Sequence, residues 1–106
     1  MTYSYVKNRI ADAILELCTG PGDVRSRLLS ANNETISLLD SHFPSELLHL
    51  WLEIQHMLTK HGSVIDFEGK ISEGAISNTL RKIKNSTGVK IAEKLCELHG
   101  ELQRKY

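Results

Sequence analysis

The stretch ELLHLWLEIQHML, residues 46–58, decides how the rest of the chain is read. Wound as an α-helix at about 100° per residue, it gathers Glu46, His49, Glu53, His56 and Lys60 within roughly 80° of one another. Leu47, Leu48, Leu50, Trp51, Leu52, Ile54, Met57 and Leu58 take up most of the remaining circumference. A helix that is apolar nearly all round is buried on more than one side. The segment is therefore expected either at the centre of a helical bundle or offering a second apolar face, centred on Leu48 and Leu52, to another copy or another protein. On that second reading Leu48, Trp51 and Leu52 are the partner-binding residues.

Outward from this segment the helical period persists. On the N-terminal side, Tyr3, Val6, Ile10, Ala13, Ile14 and Leu17 recur at steps of three and four, one stripe of a first helix. Thr19-Gly20-Pro21-Gly22 ends it, with Gly20 expected in a left-handed closing conformation and Pro21 unable to continue. Asp23 is placed to cap a second helix by accepting from the free amides of its first turn. Val24, Leu28, Ala31, Thr35, Leu38 and His42 share one side of that helix, and the unbroken register predicts continuity through Asn32 and Asn33. Phe43-Pro44-Ser45 is the next boundary, because proline restricts the residue before it and suits a first helical turn.

On the C-terminal side the central helix runs to His61-Gly62. Ser63 to Gly69 is expected to be a connector that packs down through Val64, Ile65 and Phe67. A fourth helix is expected from near Ser72, carrying Ile76, Leu80 and Ile83. Asn85-Ser86-Thr87-Gly88 reads as a break before a last helix marked by Ile91, Leu95, Leu98 and Leu102. The alternative is one helix from Ser72 to Gln103 on a 3.5-residue coiled-coil stripe. The expected fold class is all-α: a single-domain antiparallel bundle of four to five helices over residues 1–106.

Composition agrees with that class. The chain has 106 residues, 41% hydrophobic and 25% charged, which suits one ordinary core and argues against global disorder. No apolar run approaches a membrane span, and Met1-Thr2-Tyr3-Ser4-Tyr5 does not read as a signal peptide, so a cytoplasmic location is expected. Cys18 and Cys96 lack Cys-x-x-Cys spacing and are expected as reduced, partly buried thiols. Net charge is zero, yet no Lys or Arg lies between Leu28 and Thr59, where Glu34, Asp40, Glu46 and Glu53 fall. From Arg81 to Lys94 the sign reverses, with Arg81, Lys82, Lys84, Lys90 and Lys94 against Glu93 alone. Two oppositely charged helices lying side by side are the expected explanation, and a charged partner facing one of them is the alternative.

Several patterns bear on chemistry. Glu-x-x-His occurs twice in the central helix, as Glu46 to His49 and Glu53 to His56. Two-metal sites in bundles take such a pair from each of two facing helices, whereas these two lie on one helix, about 10 Å apart along its axis. His49, Glu53 and His56 share a face suited to zinc, but no fourth ligand and no His-Glu-x-x-His pattern accompany them. The stripe is therefore expected to be the solvated edge of the helix, with no metal and no cofactor. His42 is expected as a neutral imidazole bonded to a backbone carbonyl. Thr87-Gly88-Val89-Lys90 lacks the spaced glycines and the ending of a phosphate loop. No nucleophile pairs with a base, which disfavours an enzyme.

SEGAISNTLRKIKN, residues 72–85, resembles helix-turn-helix recognition segments in its residue types. Ser77, Asn78 and Thr79 near its start, then Arg81, Lys82 and Lys84, are types that suit base edges and phosphates, and Lys90 adds to the same basic set. The supporting helix of that motif is missing, since Ser63 to Gly69 is too short to supply it. The expectation is accordingly a non-enzymatic small helical protein of regulatory or adaptor type. It acts through protein–protein contacts, with homodimerisation through the third helix as the specific form. The alternative is a nucleic-acid-binding regulator using the basic segment 77–94.

Overall fold

The computed structural model describes residues 3–106. Helix α1 (Ser4–Thr19) stops at Gly20, whose N–H donates to the Glu16 carbonyl at 2.8 Å. Gly20 is extended, and it is Gly22, at φ 86°, that takes the left-handed conformation. Gly20 is needed for a different reason: a Cβ there would sit 2.6 Å from the Glu16 carbonyl oxygen. The Asp23 carboxylate accepts from the amides of Arg25 (3.0 Å) and Ser26 (3.1 Å), starting α2 (Val24–Thr35) as its type and position predict.

Helix α2 runs through Asn32 and Asn33 but ends at Thr35, short of His42. The Thr35 hydroxyl donates to the Asn32 carbonyl at 3.2 Å, a local bond that competes with helix propagation. The chain then passes through a single 3₁₀ turn, Asp40–His42, where His42 Nδ1 accepts from the Leu39 amide at 2.9 Å. This replaces the expected bond to a carbonyl. Phe43 and Pro44 are buried and lead into α3 (Ser45–Leu58).

The segment read as a packed-down connector is a small antiparallel hairpin, β1 (Val64–Ile65) with β2 (Ile71–Glu73). Val64 is half-buried, but Ile65 and Phe67 are exposed, so the expectation of packing fails for both. Strands of two and three residues are too short to show alternation in sequence. Helix α4 (Ala75–Lys82) follows, and an extended Ile83–Lys84 separates it from α5 (Asn85–Lys105). Two helices, not one, occupy this region. Asn85 to Gly88 form the first turn of α5, with Thr87 and Gly88 amides donating to the Lys84 carbonyl at 3.1 Å.

Four long helices share one apolar core. Along α5, Ile91, Leu95, Leu98 and Leu102 are buried, meeting Val6, Ile10, Ala13 and Leu17 of α1, Leu28 and Ala31 of α2, and Leu47, Leu50, Trp51, Ile54 and Leu58 of α3. Tyr3 packs edge-on to Tyr106, so α1 runs against α5. Glu46 at the start of α3 faces Tyr106 as well, so α3 also runs against α5. Gly88 meets Val24 and Leu28, which sets α2 parallel to α5. The fold is an all-α bundle in which successive long helices alternate in direction, with the β-hairpin and α4 inserted between α3 and α5.

That insertion is tied down by two buried polar residues on α4. The Asn78 amide donates to the carbonyls of His61 (3.3 Å) and Gly62 (2.9 Å), and its oxygen accepts from Arg81 at 3.0 Å. The Thr79 hydroxyl accepts from the His61 amide at 3.0 Å. Asn78→Ala removes both donors from carbonyls that α4 covers. It is expected to lower unfolding free energy by about 1–3 kcal/mol in urea titration, whereas Ser77→Ala, which loses a half-exposed bond to Glu73, costs under about 0.5 kcal/mol.

Candidate functional site

The third helix offers less free apolar surface than its composition implies. Trp51 is 4% exposed and stacks on Phe43 at 4.7 Å between ring centroids, so it belongs to the chain's own core and cannot be a partner-binding residue. Leu48 is half-buried against the same core. Leu52 alone of the three stays open, at 45% exposure. The two other large surfaces of α3 are covered by α5 and by the residues before Pro44.

The most exposed large apolar side chain among the described residues lies on the β-hairpin. Phe67 is 98% exposed, with Ile65 at 56% and Ile71 at 66%. The tip that carries Phe67 is built by hydrogen bonds. The Asp66 N–H donates to the Lys70 carbonyl at 2.8 Å, and the Gly69 N–H donates to the Asp66 carbonyl at 3.0 Å. The Asp66 carboxylate accepts from the amides of Glu68 and Lys70, each at 2.9 Å, and Gly69 takes φ 82°. This is a three-residue loop closed by a left-handed glycine, the chemistry a short hairpin requires. Phe67 is thus held outward by the turn. Sequence reading placed this ring inside because nothing local distinguishes a displayed aromatic from a buried one.

The basic segment separates into paired and unpaired cations. Arg81 is bound to Glu73 at 3.0 Å and Lys94 to Glu53 at 2.9 Å. Asn78 is 1% exposed and committed to backbone carbonyls, so it cannot read a base edge, and Ser77 donates to Glu73 at 3.2 Å. Lys82, Lys84 and Lys90 remain without a carboxylate within ion-pairing distance among the described residues. Lys82 and Lys84 line an open cleft of about 520 Å³ together with His56, Met57, Lys60, His61, Ile83 and Thr87. Lys60 and His61, which sequence reading did not join to the basic segment, reach this cleft from the end of α3.

The Glu-x-x-His residues do not converge. Glu53 is taken by Lys94, His56 lines the basic cleft, and no group of three His, Cys, Asp or Glu able to hold a metal occurs among the described residues. Cys18 and Cys96 are unbridged and exposed, against the expectation of partial burial. Local desolvation, with smaller contributions from Cys18 and Glu93, pushes the Cys96 thiol up, away from a reactive thiolate. Among the described residues no helix is long and apolar enough to cross a membrane.

The paired carboxylates set a pH dependence. The Arg81 side chain holds Glu73 below the usual carboxylate range, and Arg25 with the Ser26 amide does the same for Asp23. A depressed folded pKa adds stability above the unfolded value and loses it as pH falls through the folded value. The Lys94 ammonium, raised by its bond to Glu53, adds stability below its unfolded value and loses it as pH rises through the folded one. Thermal melting is therefore expected to be flat through neutral pH and to fall below about pH 4, the acid loss shrinking in high salt because these pairs are solvent-exposed. Protein purified without chelator or affinity tag is expected to carry well under one transition-metal ion per chain by elemental analysis. Comparison with protein-family models, with curated proteins and with solved structures gave no match to this chain.

Proposed function

We propose that the chain is a non-enzymatic interaction protein acting through protein–protein contacts, with the β-hairpin as its contact element and a second copy as its partner. The observation that carries this reading is Phe67, almost wholly exposed at a tip held by hydrogen bonds from the amides of Asp66, Glu68, Gly69 and Lys70 within the turn. A two-stranded hairpin is marginal by itself, and each of its strands pairs only with the other, leaving both edges open. Two hairpins meeting about a twofold axis bring Ile65, Phe67 and Ile71 together and pair their free edges. The third helix serves this purpose poorly, since Trp51 is enclosed and Leu52 stands alone.

The energetics favour a weak, concentration-dependent dimer. Full burial of Phe67 is worth roughly 2–3 kcal/mol and the open part of each isoleucine about 1 kcal/mol. Doubled by symmetry, this comes to about 8–10 kcal/mol, set against at least ~4 kcal/mol of lost translational and rotational freedom. The remainder, about 5 kcal/mol, corresponds to a Kd near 0.2 mM.

Sedimentation equilibrium from micromolar to millimolar protein tests this directly. The average mass of the wild type is expected to rise toward that of two chains near the upper end. Phe67→Asp stays monomeric with an unchanged melting temperature, because the ring makes no contact within the chain that its removal could break. Leu52→Glu dimerises like the wild type. A wild type that stays monomeric at millimolar concentration, or a Phe67→Asp variant that dimerises equally well, overturns the reading.

A further inference from the structure

We propose that the cleft formed by the end of α3, the end of α4 and the start of α5 binds a small polyphosphate-bearing anion, with Lys60, Lys82 and Lys84 as its phosphate ligands. The inference is independent of the hairpin contact. Its basis is a contrast between the two clefts beside α4. The first, about 290 Å³, lies between α2 and α4 and is lined by Asp23, Arg25, Glu73 and Arg81 among others. Each of its arginines is bound to a carboxylate in the same cleft, Arg25 to Asp23 at 2.9 Å and Arg81 to Glu73 at 3.0 Å. That cleft is internally neutralised. The second, about 520 Å³, carries three ammonium groups and the imidazoles of His56 and His61, and no carboxylate lines it.

Like charges held together without a counter-ion repel one another, and an anion relieves that repulsion while taking charge-assisted hydrogen bonds from each ammonium. The walls of the cleft are fixed. The Ile83 carbonyl accepts from Arg25 at 3.1 Å, anchoring the linker between Lys82 and Lys84. The main chain of His61 is held on both sides by Asn78 and Thr79. Met57 and Ile83 form an apolar floor, and the Thr87 hydroxyl adds a neutral donor. No side chain caps the first turn of α5 and no acidic residue lies in it, so the backbone dipole there adds to the same positive field.

A small anion fits better than a nucleic-acid strand. Three unpaired lysines, Lys60, Lys82 and Lys84, line one cleft instead of following a strip, since Arg81 and Lys94, which would extend the track, are already neutralised. The volume is that of a small-ligand pocket, within the range of roughly 300–1,000 Å³.

The test is titration of sodium tripolyphosphate into the full chain, followed by calorimetry and by amide chemical shifts. Saturable one-to-one binding is expected, with shifts confined to residues 56–62 and 82–88. The double variant Lys82→Gln/Lys84→Gln is expected to lose about tenfold or more in affinity, and Lys60→Gln severalfold. Lys90→Gln, which removes an unpaired lysine outside the cleft, changes affinity less than about twofold. If the double variant fails to melt cooperatively, Lys60→Gln against Lys90→Gln decides. The proposal is overturned if tripolyphosphate gives no saturable shift at low salt, or if Lys90→Gln weakens binding as much as the cleft variants do. It is likewise overturned if a single-stranded oligonucleotide binds while tripolyphosphate does not.

Discussion

The apolar column of α5 is the constraint on which the other helices depend. Ile91, Leu95, Leu98 and Leu102, with Gly88 at its head, are buried along a helix of 21 residues, or about 30 Å. At roughly 1.5–3 kcal/mol per buried aliphatic side chain, covering those four residues contributes about 6–12 kcal/mol. One neighbouring helix cannot enclose it, so α1, α2 and α3 surround it together. Gly88 marks a close approach of α5 to α2, since a Cβ there would fall 2.9 Å from a Val24 methyl. The direction of each helix follows from this enclosure, from the short turn that joins α1 to α2, and from the 3₁₀ turn that carries the chain from α2 to α3.

Because α3 and α5 run in opposite directions, the end of one already lies beside the start of the other. A connection of roughly two to eight residues suffices for such neighbours in a bundle. The chain instead uses residues 59–84, building a hairpin and an extra helix, and then ties them in place with Asn78 and Thr79. Buried polar anchors of this kind hold one arrangement more than they add stability, because an unmet partner costs more than the satisfied bond contributes. Both the displayed Phe67 and the cationic cleft belong to this insertion and its junctions. Function in small domains concentrates on connecting segments positioned by a rigid scaffold, and here the insertion is seated on that scaffold through Leu80 and Ile83, which are buried in the common core.

The helical scaffold was legible in the residues because its signals are periodic. The stripes of α1 and α5 repeat at helical steps, Asp23 has the one side chain that a helix start there needs, and Pro44 restricts the chain where α3 begins. The apolar girth of residues 46–58 correctly implied a helix enclosed on several sides, but its second face is covered from within by Phe43 and α5. Local chemistry misled where it competes with period. Helix α2 ends at Thr35, whose hydroxyl bonds back to the Asn32 carbonyl, and the Asn-Ser-Thr-Gly cluster at 85–88 reads as a break although the same residues suit a first helical turn. The hairpin was invisible because its strands are shorter than the alternation by which strands are read.

The candidate sites were legible only in part, and the reason is electrostatic. The run from Arg81 to Lys94 showed an excess of cations, but the partners that quench Arg81 and Lys94 come from β2 and α3, at separations no helical spacing reveals. What remains after quenching is a local field in a molecule of zero net charge. Such a field reaches about one Debye length, ~8 Å at physiological salt, and beyond it the acidic stripe of α3 acts on any ligand. A long polyanion leaving the cleft along α3 would find no lysine or arginine on that helix, only Glu53, already held by Lys94, and then Glu46. A compact anion meets only the lysines. The arrangement of charge, rather than its sum, therefore limits the size of what this end of the bundle can hold.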